Sequence, residues 1–347
     1  MKQTMEQIKA YIAAQGYDCG DALVENYYLS LVSRPFVILA GLSDTDLTLL
    51  PELFAGAVGA TAENGRYKCL TVEYDWMDSS DLFGHLDLWG KFVPGVILDF
   101  LIQAREDPDH PYFLCLDKLI LSRAEYYLRE ILNIIEAGET GMDAGALVPA
   151  IYYGRDAGAL QKYGQIPRLK NLYIIGTLNL DETSFPLNQK FMDRIHSLQL
   201  SKEDIFFTGK KAPAEPKELN NDFLLSPLKQ LEHCTGYEKE IERIIGVIEA
   251  LNKILMQGNA YVGYQIRNDM ILYLLNNIRT GVLEDAAALD HMITQKVLIR
   301  AQGSARTAMP MLEQLANYCA GRYPKAEKNI AFMMEKCRLE DYTAYWV

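Results

Sequence analysis

Residues 41–48 read GLSDTDLT and follow the apolar run RPFVILA. A buried strand, a glycine-led turn and then a helix is the setting of a phosphate-binding loop, G-x-x-x-x-G-K-S/T. The amides of such a loop cradle phosphates and its lysine supplies a cation. Gly41 and Thr48 hold the outer positions, with Ser43, Asp44 and Thr45 inside the loop. Asp46 stands where the second glycine would be, and Leu47 where the lysine would be. Other positions suit the same chemistry. Asp117 ends the apolar run PYFLCLD, the place of a carboxylate that holds the water shell of Mg²⁺. A glutamate orienting the attacking water would come next, but that residue is Lys118. Asn179 follows LYIIGTL, where a polar residue would meet a γ-phosphate, and Arg194 in KFMDRIHSL could act on a neighbouring subunit.

The departures oppose phosphate binding. Leucine carries no cation, and Asp44 and Asp46 would stand beside a polyphosphate. One like-charge pair at about 4 Å costs about 1 kcal/mol in water and about 4 kcal/mol at an effective dielectric of 20. Lys118 offers a cation on another strand, but an ion pair with Asp117 is the role expected of it. Pro51 is tolerated only in a first helical turn, so the helix after the loop should begin near Thr48–Leu50. Carboxylates are favourable at helix N-termini for the same reason phosphates are. The expectation is that Asp46 or Asp44 occupies part of the phosphate position. Taken alone, GLSDTDLT also fits an ordinary polar turn, and Asn179 and Arg194 also fit a turn and a surface position. The acidic set Asp44, Asp46 and Asp117 reads as solvated turns rather than a cation site. His85, His110, His196, His233 and His291 show no paired ligand spacing, so no metal centre is expected.

These positions need a sheet to carry them. The runs at 34–41, 68–74, 111–117 and 169–177 are short, apolar and bounded by turns, as buried parallel strands are, and HSLQL at 196–200 is a fifth candidate. Between the third and fourth, residues 122–137 place Ala124, Leu128, Ile131 and Ile135 on one helical face. This alternation predicts an α/β domain. The composition turns polar and proline-bearing at 208–221, a linker signal. Helical patterns follow at 238–255, 268–279, 285–301 and 305–321, with Ile241, Ile244, Ile245, Ile248, Leu251 and Leu255 as one stripe. The expected organisation is an N-terminal helix at 1–24, an α/β domain at 25–207, the linker, and helices over 222–347.

The 347 residues are 49% hydrophobic and carry a net charge of −12. An acidic surface of that size disfavours broad contact with nucleic acid. No apolar run is long enough to span a membrane, the first residues do not read as a signal peptide, and six scattered cysteines form no C-x-x-C pair. A reduced, cytoplasmic setting is expected.

The ordered segments together resemble the AAA+ NTPase module of the McrB family, the motor of modification-dependent restriction systems. FVILAGLSDTDLT is similar to its Walker A strand and loop, and VEYDWMDSSDLFGH to the segment after the second strand. YFLCLDKLILSRAEYYLREILNIIE is similar to Walker B and its helix, and NLYIIGTLNLDETSFPLNQKFMDR to the sensor and arginine-finger region. GYQIRNDMILYLL and LDHMITQKVLIRAQGS resemble the helical lid. The resemblance implies a P-loop-type parallel sheet flanked by helices and followed by an all-helical lid. It also implies a vestigial nucleotide pocket made of the loop, Asp117, Lys118, Asn179, Arg194 and the lid residue Arg267. A family asparagine two residues after Lys118 is Ile120, and an arginine common in the lid is Gln265. The implied role is a catalytically inactive scaffold or regulator in a defence-type assembly, without a cofactor. Its partners would be itself, AAA+ relatives or a McrC-like nuclease. The first 25 residues are too short for the family's target-reading domain, so direct nucleic-acid binding is not expected. The alternative is an unconventional NTPase that binds ATP or GTP with Mg²⁺. The aromatics at 74–92 read as packing residues or, on the resemblance, a partner contact.

Overall fold

The computed structural model describes residues 1–20, 22–132, 156–164, 169–181, 189–209 and 215–345. Five strands form one parallel sheet: β1 (Phe36–Gly41), β2 (Tyr67–Thr71), β3 (Tyr112–Asp117), β4 (Leu172–Asn179) and β5 (His196–Gln199). Their spatial order is β2-β3-β4-β1-β5. The strand that carries the loop therefore lies inside the sheet, between the fourth strand and the fifth. Helices flank this sheet and a helical region follows it, the α/β organisation that the alternation of strands and helices predicts.

Both faces of the sheet are covered, which is why its strands read as continuous apolar runs. In β1, Val37 and Leu39 point into one core, and Phe36, Ile38 and Ala40 into the other. The first core also holds apolar residues of α1 (Lys2–Ala14), α2 (Leu23–Ser33) and α3 (Leu49–Ala57), and it continues into the C-terminal helices. The second holds α4 (Leu98–Glu106) and the segment after β3. There Ala124, Leu128 and Ile131 are buried on one face as the periodicity requires, while residues 133–137 of that predicted helix lie outside the described residues.

The C-terminal region contains α5 (Glu238–Leu255), α6 (Tyr264–Thr280), α7 (Asp285–Met292), α8 (Ala305–Cys319) and α9 (Pro324–Glu340). In α5, Ile244, Ile248, Leu251 and Leu255 are buried, and Ile241 and Ile245 lie at the margin. The helix expected over 285–301 changes character. After α7 the chain makes a π turn at Ile293–Val297 and a 3₁₀ turn at Leu298–Arg300. A two-residue strand pair, Gly303–Ser304 with Tyr342–Thr343, joins the ends of the last helices. A second short pair joins Tyr17–Cys19 to Ile205–Phe207. The described end of the predicted linker is fastened to the α/β part. Lys217 and Leu219 donate backbone bonds to Ala57 and Val58, and Glu218 pairs with Arg66.

The π turn buries five consecutive residues, so Gln295 and Lys296 both face the sheet. Gln295 Oε1 meets Nδ1 of His196 in β5 at 3.1 Å, and its amide donates to Asn26 in α2. The Tyr273 hydroxyl of α6 also donates to Asn26. Below this, Asp269 of α6 pairs with Arg34, at the foot of β1, and lies 3.7 Å from the Lys296 ammonium. Lys296 also donates to the Ile195 carbonyl, and Arg300 pairs with Asp193. Burial drives the Lys296 pKa down to about 8. It holds His196 well below the ordinary imidazole value, and His291 at about 3. Both histidines are therefore neutral in the fold. Above the ordinary value near 6.5 this costs nothing, because the unfolded chain is neutral too. As pH falls through 6.5 the unfolded chain takes up protons that the folded chain refuses, so stability is lost. From pH 7.5 to 5.5 the unfolding free energy should fall by about 1.4 kcal/mol for each histidine. Urea titrations at the two pH values check this, and His291→Gln should remove part of the difference.

Candidate functional site

The loop leaves β1 at Gly41, which lies in register with Asn179 at the end of β4. Leu180 donates its amide to the Gly41 carbonyl, and Leu200, just past β5, donates to Ala40. Gly41, Asn179 and the carboxyl end of β3 therefore lie together at the carboxyl-terminal end of the sheet. α3 begins at Leu49 with Thr48 as its cap position, and Pro51 falls in its first turn.

The loop does not arch around an open space. Two tight turns close it, with the Thr45 amide on the Leu42 carbonyl and the Leu49 amide on that of Asp46. Leu47 is only 3% exposed and belongs to the core beside α3. A methyl group placed on Gly41 would lie 2.8 Å from the Leu200 oxygen, 3.0 Å from Leu47 Cδ2 and 3.4 Å from Thr45 Cβ. The loop thus folds onto its first glycine. The Leu47 side chain, at the position where the motif would carry a lysine, is turned inward and packed.

A carboxylate does sit on the loop's backbone, but it is neither Asp44 nor Asp46. Asp181, two residues beyond β4, accepts the Ser43 amide at 2.8 Å and the Ser43 hydroxyl at 2.5 Å. The hydroxyl, with the amide behind it, holds the Asp181 carboxyl below its usual range. Asp46 instead accepts the Thr48 hydroxyl at 2.9 Å, and Asp44 pairs with Lys202 beyond β5. The physical reason is competition: Asp46 and Asp44 are engaged by the Thr48 hydroxyl and the Lys202 ammonium, and Ser43 faces the end of β4, where Asp181 lies.

The expected Asp117–Lys118 ion pair is also corrected. Asp117 accepts the Thr177 hydroxyl at 2.6 Å, and that hydroxyl accepts the Lys118 amide at 2.8 Å. Lys118 adopts a left-handed backbone conformation, φ 57°, that turns the chain after β3. No ion pair joins the two among the described residues. Arg194, partly buried, follows Phe191 in a turn before β5. Arg267 does not join the site. It stacks on the Tyr264 ring at 4.7 Å. Two residues further along α6, Asp269 reaches Arg34 below β1. At about 3.3 Å per strand residue this is on the order of 20 Å from the loop. Asp181, Thr177 and Lys202 were missed by motif reading. The only trace of Asp181 is an acid just past a strand end. Among the described residues no three His, Cys, Asp or Glu side chains gather where a metal ion could be held.

Comparison with known proteins adds little about chemistry. A family described as a domain of unknown function (DUF8727) matches residues 218–342, the helical region. No curated protein matches the chain. Among solved structures the chain is similar to a crystal structure of a "putative ATPase" from Cytophaga hutchinsonii. The identity is 13% and the TM-score 0.47, over 78% of each chain.

If Leu47 is core, Leu47→Ala should cost about 2–5 kcal/mol of unfolding free energy in urea titrations, as buried leucine truncations do. A loss below about 1 kcal/mol would mean that the side chain is not part of the packing. Gly41→Ala should also destabilise, because its methyl group meets a backbone oxygen.

Proposed function

We propose that this chain is a catalytically inactive AAA+-type subunit that acts as a scaffold or regulator. One observation carries the reading: Leu47 fills the inside of the loop while Asp181 holds the Ser43 amide. A Mg²⁺–nucleotide does not fit these residues. A cation is needed where Leu47 packs, and a free amide is needed where a carboxylate already sits. Asp117 is engaged by Thr177 and followed by a lysine rather than a glutamate. No hydrolytic step is therefore derived. The McrB-like and defence-type assignment rests on the ordered sequence segments.

A surface suited to a protein partner supports the scaffold role. The strands Gly84–Leu86 and Phe92–Pro94 form a hairpin in which Phe92, just after the turn, is buried and donates its amide to Asp156. At the tip, Asp87 accepts the amides of Trp89 and Lys91, which stiffens the turn. Leu88 and Trp89 are thereby presented at 96% and 88% exposure. A rigid, exposed tryptophan is a common binding hot spot. By contrast, Trp76 and Phe83 of the same stretch are packing residues. The partner proposed is an AAA+ relative or a McrC-like nuclease.

Calorimetric titration with ATP and with GTP, each with Mg²⁺ and up to millimolar nucleotide, tests the reading. The expected result is no heat and no rise in melting temperature; a micromolar Kd would overturn it. A candidate partner should co-elute with the wild-type chain and not with the L88S/W89A double variant. That variant's stability should stay within about 0.5 kcal/mol per substitution, as surface changes usually do.

A further inference from the structure

β2 and β3 run parallel with Cys69 directly opposite Cys115. Residues paired in this way project from the same face of a sheet. Neighbouring strands lie about 4.8 Å apart, inside the roughly 4.4–6.8 Å Cα separation that a disulfide spans. The two thiols differ in setting. Cys115 is fully buried on an inner strand, whereas Cys69 is exposed on β2, the edge of the sheet. Cys69 also lies in the wall of a cleft of about 780 Å³, beside Tyr67, Lys68, Glu52 and Gln103. A small molecule can therefore reach one thiol of the pair, and the other stands behind it.

The neighbouring Cys115 thiol, with the Tyr67 hydroxyl adding to it, holds Cys69 below the ordinary thiol value. Cys115 is pushed well up by Cys69 and by burial. The other four are all raised, Cys19 and Cys319 to about 12, chiefly by burial. Reactive sensor thiols combine thiolate character, exposure and a nearby resolving cysteine. Of the six cysteines, Cys69 unites the three.

We propose that Cys69 and Cys115 form a hydroperoxide-reactive pair, with Cys69 as the nucleophile and Cys115 as the resolving thiol. The Cys69 sulfur attacks the terminal oxygen of ROOH. The O–O bond breaks, Cys69 becomes a sulfenic acid, and RO⁻ leaves as ROH with the thiol's proton. The Cys115 sulfur then attacks the Cys69 sulfur. An S–S bond forms, the S–O bond breaks, and hydroxide leaves as water with the Cys115 proton. Two thiols are oxidised by two electrons in total, and one hydroperoxide is reduced to ROH and water. The disulfide would staple the edge strand to the strand that carries Asp117. An exogenous dithiol would reverse it by exchange.

The test treats the purified full chain with one equivalent of hydrogen peroxide, alkylates the remaining thiols and maps the peptides. Expected is the loss of two of the six free thiols, a fall of about two mass units before alkylation, and one linked peptide joining Cys69 to Cys115. In Cys115→Ser, Cys69 should accumulate as a sulfenic acid captured by dimedone; in Cys69→Ser, Cys115 should stay reduced. If all six thiols are alkylated, if the link joins another pair, or if wild-type Cys69 stops at the sulfenic acid, the proposal is overturned. The wild-type result decides even if a variant fails to fold.

Discussion

The Asp269 carboxylate, held between the Arg34 guanidinium and the Lys296 ammonium, is the contact on which the architecture turns. All three residues are buried. Arg34 stands at the foot of the loop-bearing strand, Asp269 on α6, and Lys296 in the π turn after α7. Charges taken out of water are costly, and the cost is offset only while every partner stays in place. Removing one would strand the others. The groups around it, Asn26, His196, Tyr273 and Gln295, are neutral and hydrogen-bonded to one another or packed together. Sheet and helices thus share a polar seam inside a continuous apolar core. A buried pair of this kind is weak evidence of net stability, but removing one partner alone is costly.

The far end of β1 obeys a different rule. A phosphate loop must leave its amides unpaired and its interior open until a ligand arrives. Here Leu47 packs inside the loop, and Asp181 accepts the Ser43 amide and hydroxyl, so these groups are satisfied from within the chain. Thr177 completes the pattern by bridging Asp117 and the Lys118 amide, which closes the ends of β3 and β4 against each other.

Surface features cluster at the other edges. The Leu88–Trp89 tip stands on a hairpin inserted after β2, and the Cys69 thiol faces a cleft at the open side of the same strand. An edge strand has backbone groups and side chains that no neighbour covers. The proposed partner surface and the proposed reactive thiol both lie on such uncovered parts of the fold.

Five strands, their parallel sense, the stripe of α5 and the start of α3 were legible in the sequence, because each follows from local periodicity, apolar run length or proline sterics. That Leu47 and Lys118 stand where a phosphate-loop motif would carry lysine and glutamate was legible as well, since motif positions are counted along the chain. Which anion meets the Ser43 amide was not. Asp44, Asp46 and Asp181 are chemically alike, and only strand register places Asp181 opposite Ser43 while Lys202 takes Asp44. Nor did any pattern mark Lys296 as buried, Arg267 as remote from the loop, or Cys69 as the neighbour of Cys115. Those outcomes depend on which distant segments pack together. Side-chain type sets what a residue can bond; tertiary structure alone decides which partner comes within hydrogen-bonding distance.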